Sequence, residues 1–362
     1  MLSFCFYFVI LFTVNISFAG DVFSNHHYEI AFNYPGSLFG ENRTDPELQD
    51  RIVSLLRATP SGSKVFGATR SVKHKRIAKE LIKAKKRGVD VRFILAEDDE
   101  SSDSRLLKAG LGESLIICSR HIKSHRGCIG SGKNHNKFFL FSELNDGSTN
   151  IVLQSSSNLD RQTKFQNHLI FKHDPLVYSA YLNYWHDLAR LEQDDHYYQT
   201  AIGSRDEILM HFSPRNDGGD SYEEHLGLIE CADGSRIDIA MAHFTDSRIW
   251  KKLALKASEG CDVNILTRDD PRNKKLIRWY KKTKLEKLKL WTLPELHSKY
   301  VLVDSPYASS SSPQKIVFTG SYNFTPSARE HNDEVFIRIM DKFVFESYGH
   351  NWNRLKQYAK RI

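Results

Sequence analysis

Apolar positions follow two periods along this chain. Short runs rich in β-branched and aromatic residues, such as those within YEIAFNYPGS, SKVFGATRSV and VDVRFIL, predict strands. Between them, LQDRIVSLLRAT and KRIAKELIKAKKRG carry apolar residues at helical spacing, and the second ends in a glycine that is typical of a helix end. Strands that alternate with helices in this order predict an α/β fold.

The same series of elements then occurs a second time. DEILMHFSPRN, YEEHLGLIECA, SRIDIAMAHFTD, RIWKKLALKASEG and CDVNIL repeat the strand and helix order of the first half. Further along, NHNKFFLFS corresponds to LHSKYVLVD, IVLQSSSNL to IVFTGSYNF, and NHLIF to DEVFI. The pattern therefore predicts two α/β halves, residues 24–196 and 204–362, which join near EQDDHYYQTAIGSRDE.

The first residues, MLSFCFYFVILFTVNISFAG, form an uncharged apolar run that leads into small residues. Ser17 and Ala19 have the spacing of a signal-peptidase site, so residues 1–19 are predicted to be a signal peptide and the chain to be secreted or extracytoplasmic. An uncleaved membrane anchor is the alternative. No other stretch of the sequence is apolar over the length that a bilayer requires.

Four cysteines follow the predicted signal peptide, and an even number in an exported chain favours disulfides. A local bridge between Cys118 and Cys128 leaves Cys231 and Cys261 to pair in the second half. A zinc site is the alternative in the first half. Its ligands would be Cys118, His121, His125 and Cys128, whose spacing is not that of a common zinc module.

The chain has a formal net charge of +7 and a pI near 9.0, which favours anionic partners such as phospholipid or nucleic acid. The surplus of positive charge is concentrated between Arg268 and Lys289, where tryptophan and tyrosine are interleaved with lysine and arginine. Such a run suits a phosphate-lined partner. The alternative is an ordinary basic helix whose core face includes Leu276, Trp279 and Tyr280.

One predicted strand begins with a histidine and a lysine in both halves. NHNKFFLFS contains His135 and Lys137, and LHSKYVLVD contains His297 and Lys299. Alternation along a strand places both members of a pair on one face. Charged residues are also found at exposed strand edges, which they keep soluble. That explanation does not account for the same pair in both halves, each followed by a turn that contains Ser and Asn. The duplication therefore favours a functional site.

These motifs resemble the signature of the phospholipase D superfamily, which is a histidine, any residue, a lysine, four residues and an aspartate, usually present twice. The second copy matches through His297, Lys299 and Asp304. The resemblance covers about residues 28–355. It implies two halves in a pseudo-twofold arrangement with the active site at their interface, and charge compensation by lysines without a metal or cofactor.

The segment behind the second motif strengthens the resemblance. Gly320, Ser321 and Asn323 resemble the Gly-Ser-x-Asn turn of the family, and Glu334 lies where the family places a supporting carboxylate. The resemblance assigns substrate binding to Ser321, Asn323 and Glu334, and to Asn158 of the first half.

The first copy departs from the family pattern at three positions. Ser142 occupies the aspartate position, Ser155 replaces the turn glycine, and His168 is aligned with Glu334. Some relatives, such as tyrosyl-DNA phosphodiesterase, lack that aspartate and are active. The histidine and lysine pairs are therefore interpreted as the essential part of the site.

A phosphodiester needs a nucleophile, a proton donor for the leaving oxygen, and cations for the non-bridging oxygens. By family order, His135 is predicted to be the nucleophile and His297 the general acid, although a carboxylate beside His297 could equally orient a nucleophile. Lys137 and Lys299 are predicted to hold the phosphoryl oxygens, and Asp304, which completes the second motif, is also predicted to be catalytic.

Two further segments are predicted to lie near the pocket. His243 follows a central strand and is expected to line the site, and SPYASSSSPQK, after Asp304, is polar throughout and is expected to form a mobile loop at the rim. A spacer without function is the alternative for this loop.

The sequence thus predicts a secreted phosphodiesterase that resembles phospholipase D and hydrolyses or transfers phosphatidyl groups at a phospholipid membrane surface, through a phosphohistidine. The alternatives are a secreted phosphodiesterase acting on nucleic acid and an inactive protein that only binds anionic lipid or polynucleotide. Retention of both histidines disfavours the last, because a binder does not need imidazoles. No obligate protein partner is inferred.

Overall fold

The computed structural model describes residues 20–36, 45–96, 101–120, 126–160, 163–205 and 207–362. The predicted signal peptide lies outside the described residues. The first half contains an eight-stranded sheet with strand order β1-β2-β8-β7-β6-β3-β4-β5. Its elements are β1 (Asp21–Ser24), β2 (Tyr28–Phe32), α1 (Glu47–Ala58), β3 (Lys64–Thr69), α2 (Lys75–Lys86), β4 (Asp90–Leu95), α3 (Ser102–Leu111), β5 (Leu115–Ile117), β6 (Lys137–Glu143), β7 (Thr149–Ser155), β8 (Asn167–Phe171) and α4 (Pro175–Arg190).

The second half contains a nine-stranded sheet with strand order β17-β13-β12-β11-β14-β15-β16-β10-β9. Its elements are β9 (Gln199–Ile202), β10 (Ile208–Ser213), α5 (Ser221–Gly227), β11 (Arg236–Met241), α6 (Ser247–Ser258), β12 (Asp262–Arg268), α7 (Lys274–Lys282), β13 (Leu288–Leu293), β14 (Lys299–Tyr307), β15 (Ser310–Gly320), α8 (Pro326–Glu330), β16 (Glu334–Ile339), α9 (Lys342–Gln357) and β17 (Lys360–Arg361).

The two sheets are built in the same way. β3 pairs in parallel with β4 and antiparallel with β6, and β11 pairs in parallel with β12 and antiparallel with β14. β7 and β8 extend the first sheet as β15 and β16 extend the second. The predicted pair of α/β halves is therefore confirmed.

Each sheet buries both faces, because its strands supply apolar side chains to two cores. One core is shared by the sheets and contains the apolar faces of α4 and α9. The outer face of the first sheet packs against α1, α2 and α3, and that of the second against α5, α6 and α7. Burial on both sides explains the nearly continuous apolar runs of the central strands.

Both histidine motifs lie at the same end of their sheets. Lys137 pairs with Thr69, the last residue of β3, and Lys299 pairs with Met241, the last residue of β11. The motifs therefore lie at the carboxyl ends of the parallel strands, where α/β proteins commonly bind ligands.

The structure contains the two predicted disulfides, Cys118–Cys128 and Cys231–Cys261. The zinc alternative is wrong, because both of its sulfur ligands are covalently bonded to each other. The two histidines of that alternative lie outside the described residues.

The expected mobile loop after Asp304 is a β-hairpin. β14 continues to Tyr307 and β15 begins at Ser310, and Ala308 and Ser309 form the turn with φ of 51° and 67°. The turn lies eight residues along β14 from Lys299, at about 26 Å from the end of the sheet that carries the histidine motif. The rim prediction was wrong because pairing with β14 imposes strand structure on a polar serine-rich sequence.

Candidate functional site

Each histidine motif docks on the other half of the chain. The backbone N–H of His135 donates to the carbonyl of Asp333 at 3.0 Å, and the N–H of His297 donates to the carbonyl of Phe165 at 2.9 Å. The segments before β6 and β14 are thereby held beside β16 and β8, respectively. The halves consequently build the site together.

His135 is paired with a carboxylate from the second half. Its Nδ1 lies 2.8 Å and 2.9 Å from the carboxylate oxygens of Glu334, and the imidazole is almost completely buried. Burial raises the pKa of Glu334 to about 7 and lowers the pKa of His135. The pair therefore shares one proton between Nδ1 and the carboxylate, which leaves the lone pair of Nε2 free.

His297 has no carboxylate partner among the described residues. Its Nδ1 lies 3.1 Å from the carbonyl oxygen of Ser156, 3.5 Å from Nε2 of Gln166 and 3.3 Å from Nζ of Lys299. Donation from Nδ1–H to the carbonyl leaves Nε2 available for proton transfer. Burial and the charge of Lys299 lower the pKa of His297.

Gln166, and not His168, is the first-half counterpart of Glu334. The last residue of β7 pairs with His168, whereas the last residue of β15 pairs with Phe336. His168 therefore corresponds to Phe336, and Gln166 corresponds to Glu334. The sequence alignment was wrong by two residues, a shift that leaves every side chain on the same face of a strand and is not detected by alternation.

His168 lies within the first sheet and has no role in the site. The residue is completely buried, and neither ring nitrogen has a hydrogen-bond partner among the described residues. Burial lowers its pKa to about 3, so the imidazole is neutral.

The two lysines lie beside their histidines and are buried. Lys137 Nζ donates to the carbonyl of His135 at 2.5 Å, and Lys299 Nζ donates to the carbonyl of His297 at 2.9 Å and to that of Ser156 at 3.2 Å. Burial lowers the pKa of Lys137 and lowers that of Lys299 to about 7. A bound phosphate would favour the charged forms, since it supplies the neutralising charge.

The remaining predicted binding residues lie behind the strand ends. The Ser321 hydroxyl accepts a hydrogen bond from the N–H of Val335 at 3.0 Å and a further hydrogen bond joins it to Glu334, so Ser321 supports the carboxylate. The amide oxygens of Asn158 and Asn323 are buried and have no hydrogen-bond partner among the described residues. Both asparagines therefore retain hydrogen-bonding capacity for a ligand.

Asp304 is remote from the histidines, which corrects its catalytic assignment. Five residues of extended chain separate it from Lys299, or about 17 Å. Its carboxylate is paired with Lys315 on β15. At the equivalent place in the first half, the Ser142 hydroxyl accepts a hydrogen bond from the N–H of Lys64. The aspartate position therefore belongs to the far end of the sheet, which explains why serine can replace it.

His243 lies beside the second motif. Its ring centroid is 6.5 Å from that of His297, and burial lowers its pKa to about 3. Its neighbourhood is cationic, because Arg272 and Arg268 lower the same pKa. Arg268 is held by Glu295, two residues before His297, at 3.0 Å.

Gln166 was not identified from the sequence. The only feature of the sequence that could have indicated it is an amide side chain directly before a strand.

Within the described residues, no group of three or more histidine, cysteine, aspartate or glutamate side chains could hold a metal ion. None of the helices in the described ranges is long and apolar enough to cross a membrane.

Comparisons with known proteins are consistent with this geometry. Residues 55–186 and 226–356 match the family described as "Cardiolipin synthase, PLD-like domain". No curated protein is detectably similar in sequence.

Two solved structures are similar to the chain as a whole. A phosphatidylserine synthase from Haemophilus influenzae Rd KW20 has a TM-score of 0.62 and 13% identity, over 87% of this chain and 85% of that one. A polyphosphate kinase from Porphyromonas gingivalis has a TM-score of 0.56 and 13% identity, over 85% of this chain and 48% of that one. These similarities show the fold, and the repeated sequence match shows the family. The chain belongs to the phospholipase D-like family, with one copy of the domain in each half.

Proposed function

We propose that the chain is a phosphodiesterase that works through a phosphohistidine intermediate on His135. The observation that carries the proposal is the cross-pairing of the two imidazoles: each has its Nδ1 occupied by a partner from the other half and its Nε2 free. Neither Nε2 has a hydrogen-bond partner among the described residues, so that of His135 can attack phosphorus and that of His297, once protonated, can donate to the leaving oxygen.

In the first step, Nε2 of His135 attacks phosphorus, a P–N bond forms and the P–O ester bond breaks. His297 enters this step as the imidazolium, which the negative charge of a bound phosphate favours, and its Nε2–H gives a proton to the leaving oxygen. Glu334 stabilises the positive charge that develops on the phosphorylated ring of His135, while Lys137 and Lys299 stabilise the negative charge on the non-bridging oxygens.

In the second step, His297 removes a proton from water or an alcohol, the oxygen attacks phosphorus, and the P–N bond breaks. This step regenerates the neutral ring of His135 and the imidazolium of His297. The carboxylate partner supports the nucleophile assignment for His135, because a phosphohistidine cation is stabilised next to an anion and is not stabilised next to the amide of Gln166.

The proposed substrates are phosphatidyl groups, and the proposed location is outside the cytoplasm. Support for export comes from the apolar N-terminal run and from the two disulfides, which persist in oxidising compartments. Outside the cytoplasm, membranes are the commonest source of phosphodiesters. The family description and the name of the Haemophilus influenzae neighbour both refer to phospholipid synthesis, which supports the same class.

Nucleic acid is the second candidate substrate, and the cations around the site favour it. Lys133 and Lys164 each lower the pKa of a catalytic histidine, so the site carries positive charge beyond the two motif lysines. A polynucleotide would place phosphates on both sides of the bond that is cleaved.

The test compares His135→Ala and His297→Ala with the unaltered mature chain on liposomes, single-stranded DNA and bis(4-nitrophenyl) phosphate. We expect both variants to lose turnover, and only His297→Ala to trap phosphate covalently on the protein. The reaction is expected to continue in EDTA. Turnover by either variant at the unaltered rate would contradict the mechanism, and trapping by His135→Ala alone would exchange the two roles.

A further inference from the structure

The helix α7 exposes a stripe of cations. Five of its nine residues are lysine or arginine, and all five are exposed. At 100° per residue they fall within a sector of about 120°. None of the five has an ion-pair or hydrogen-bond partner that the described part of the chain supplies. They are Lys274, Lys275, Arg278, Lys281 and Lys282.

The other side of α7 is packed into the protein. Leu276 is completely buried, and Trp279 and Tyr280 pack against the outer core of the second half, with the ring of Trp279 6.2 Å from that of Trp250. The basic run is therefore a core-packed helix, as the sequence alternative proposed, and also a charged surface. The two descriptions apply to opposite faces.

The fold does not require this charge. The helix α3 occupies the same place in the first half, between the second and third parallel strands. Its one acidic and two basic side chains give it a net charge of +1, whereas the five basic side chains of α7 give +5. Since the matching helix packs with almost no net charge, the cations of α7 serve something other than folding.

α7 begins at the active site and is held there rigidly. The buried Asn273, directly before the helix, accepts a hydrogen bond from the N–H of Phe244 at 2.9 Å and donates to the carbonyl of Ala242 at 3.0 Å. These two residues flank His243, whose ring lies beside that of His297. The cationic stripe therefore extends from the edge of the catalytic centre.

One apolar side chain borders the stripe. Ile277 is partly exposed, and together with Lys274 and Arg278 it lines a shallow depression whose surface is mostly apolar. Lysine and arginine with their heads in water and their methylene stems around an apolar residue form the arrangement that suits a lipid headgroup boundary.

We infer that α7 is a docking surface for a bilayer that contains anionic phospholipid, which holds the catalytic centre at the membrane. The inference rests on the proposed phosphodiesterase function and specifies where its substrate surface binds. Negative headgroups complement the five cations, and Ile277 contacts the interface between them. A phosphodiesterase of bilayer lipid gains from such a site, because attachment keeps successive substrate molecules within reach.

The test measures sedimentation of the mature chain with vesicles of phosphatidylcholine, with and without phosphatidylglycerol. The Lys274→Gln/Lys281→Gln variant is compared with a Lys79→Gln/Lys86→Gln variant, which removes two exposed cations from α2 in the first half. We expect the α7 variant to bind phosphatidylglycerol vesicles about 25-fold more weakly, and the α2 variant to bind as the unaltered chain does.

Hydrolysis of soluble bis(4-nitrophenyl) phosphate gives a separate readout of the catalytic centre, and we expect both variants to retain it. If neither the unaltered chain nor the variants hydrolysed this ester, the proposed function would be contradicted. The vesicle measurement would still decide whether α7 binds the membrane. Equal vesicle binding by the α7 variant and the unaltered chain would overturn the inference. The inference would also be overturned if the α7 variant bound a single-stranded oligonucleotide more weakly but bound vesicles as the unaltered chain does. That result would identify α7 as a nucleic-acid surface.

Discussion

At the residue scale, the two halves differ most in what faces each catalytic imidazole. Glu334 places a carboxylate beside Nδ1 of His135, whereas Gln166 places an amide beside Nδ1 of His297. A carboxylate stabilises a ring that becomes positively charged, and an amide stabilises it far less. The proposed division of roles between the two histidines therefore depends on one structural position that two residue types occupy.

Replacing Glu334 with Gln should lower kcat by about 100-fold, because His135 then loses the anion that stabilises its charged, phosphorylated form. His168→Gln is the matched control, since the sequence alignment gave that residue the position of Glu334 but the structure places it inside the first sheet. Steady-state rates on bis(4-nitrophenyl) phosphate distinguish the two. Equal losses in both variants would contradict the assignment of the partners.

Asp304→Asn should leave kcat within about twofold of the unaltered value. The carboxylate forms a partly exposed ion pair with Lys315, and such pairs contribute about 0 to 1 kcal/mol to stability. Kinetics and a melting curve of the same preparation check both statements. A large loss of kcat with an unchanged melting temperature would return Asp304 to the catalytic machinery.

At the element scale, the segment that leads into β6 is fixed from several directions. The carboxylate of Asp333 accepts hydrogen bonds from the N–H groups of Cys128 and Gly130 at 2.7 Å and 2.6 Å, and of Ile129 at 3.3 Å. The disulfide Cys118–Cys128 ties the same segment to the end of β5. His135 lies five residues beyond Gly130 and donates its own N–H to the carbonyl of Asp333, so these contacts position its backbone.

Removing Cys118–Cys128 by the double substitution to Ser should therefore lower both stability and kcat. Removing Cys231–Cys261 in the same way should lower stability alone, because that bridge joins the start of β12 to the segment before β11, at the amino ends of the strands. Each loss of stability is expected to be about 3 kcal/mol. Urea unfolding and single-turnover rates measure the two effects.

Equal loss of kcat in both disulfide variants would show that general destabilisation, and not the position of His135, reduces the rate. A variant of the first bridge with normal kcat would show that Asp333 is sufficient to hold the segment.

At the scale of the whole molecule, buried histidines couple folding to pH. Burial lowers the pKa of eight histidines below the ordinary value of 6.5 and does so strongly in six: His135, His168, His211, His225, His243 and His297. Because the unfolded chain binds these protons below pH 6.5 and the folded chain does not, their contribution to stability is present above that pH and is lost as the pH falls.

Six carboxyl groups have raised pKa values and act in the opposite sense, and the rise is large in three of them. Burial raises the pKa of Asp220 to about 6 and those of Asp333 and Glu334 to about 7, so their contribution is present at low pH and is lost as the pH rises through those values. The six strongly shifted histidines outweigh the three carboxyl groups whose raised pKa values reach this pH range. The free energy of unfolding should consequently fall between pH 6.5 and pH 5, by about 1.4 kcal/mol per pH unit for each net proton taken up.

Urea unfolding at pH 7 and pH 5.5 tests this expectation. The control is His211→Gln/His225→Gln, which removes a buried pair whose Nε2 atoms lie 3.1 Å apart and away from the catalytic histidines. This variant should show a smaller difference between the two pH values. The expectation would be contradicted if the free energy of unfolding of the unaltered chain at pH 5.5 were equal to or greater than that at pH 7.

The sequence by itself determined the parts of the protein that depend on local spacing. Alternation by two and by 3.6 residues gave the order of strands and helices, because side-chain direction follows directly from backbone period. The duplicated order gave two halves, and the duplicated His-x-Lys pairs gave the residues proposed to form the site, since residues two apart on a strand necessarily share a face.

Only the tertiary structure decided which residues meet. The partners of His135 and His297 lie 199 and 131 residues away in the chain, and a two-residue slip in alignment kept every side chain on its correct face while naming the wrong partner. Asp304 shares a motif with His297 but lies at the other end of a strand, because extended chain separates neighbours in sequence by about 3.3 Å each. The period of the sequence pattern determines the face on which a side chain lies. The distance between side chains on different elements depends on how the two sheets pack.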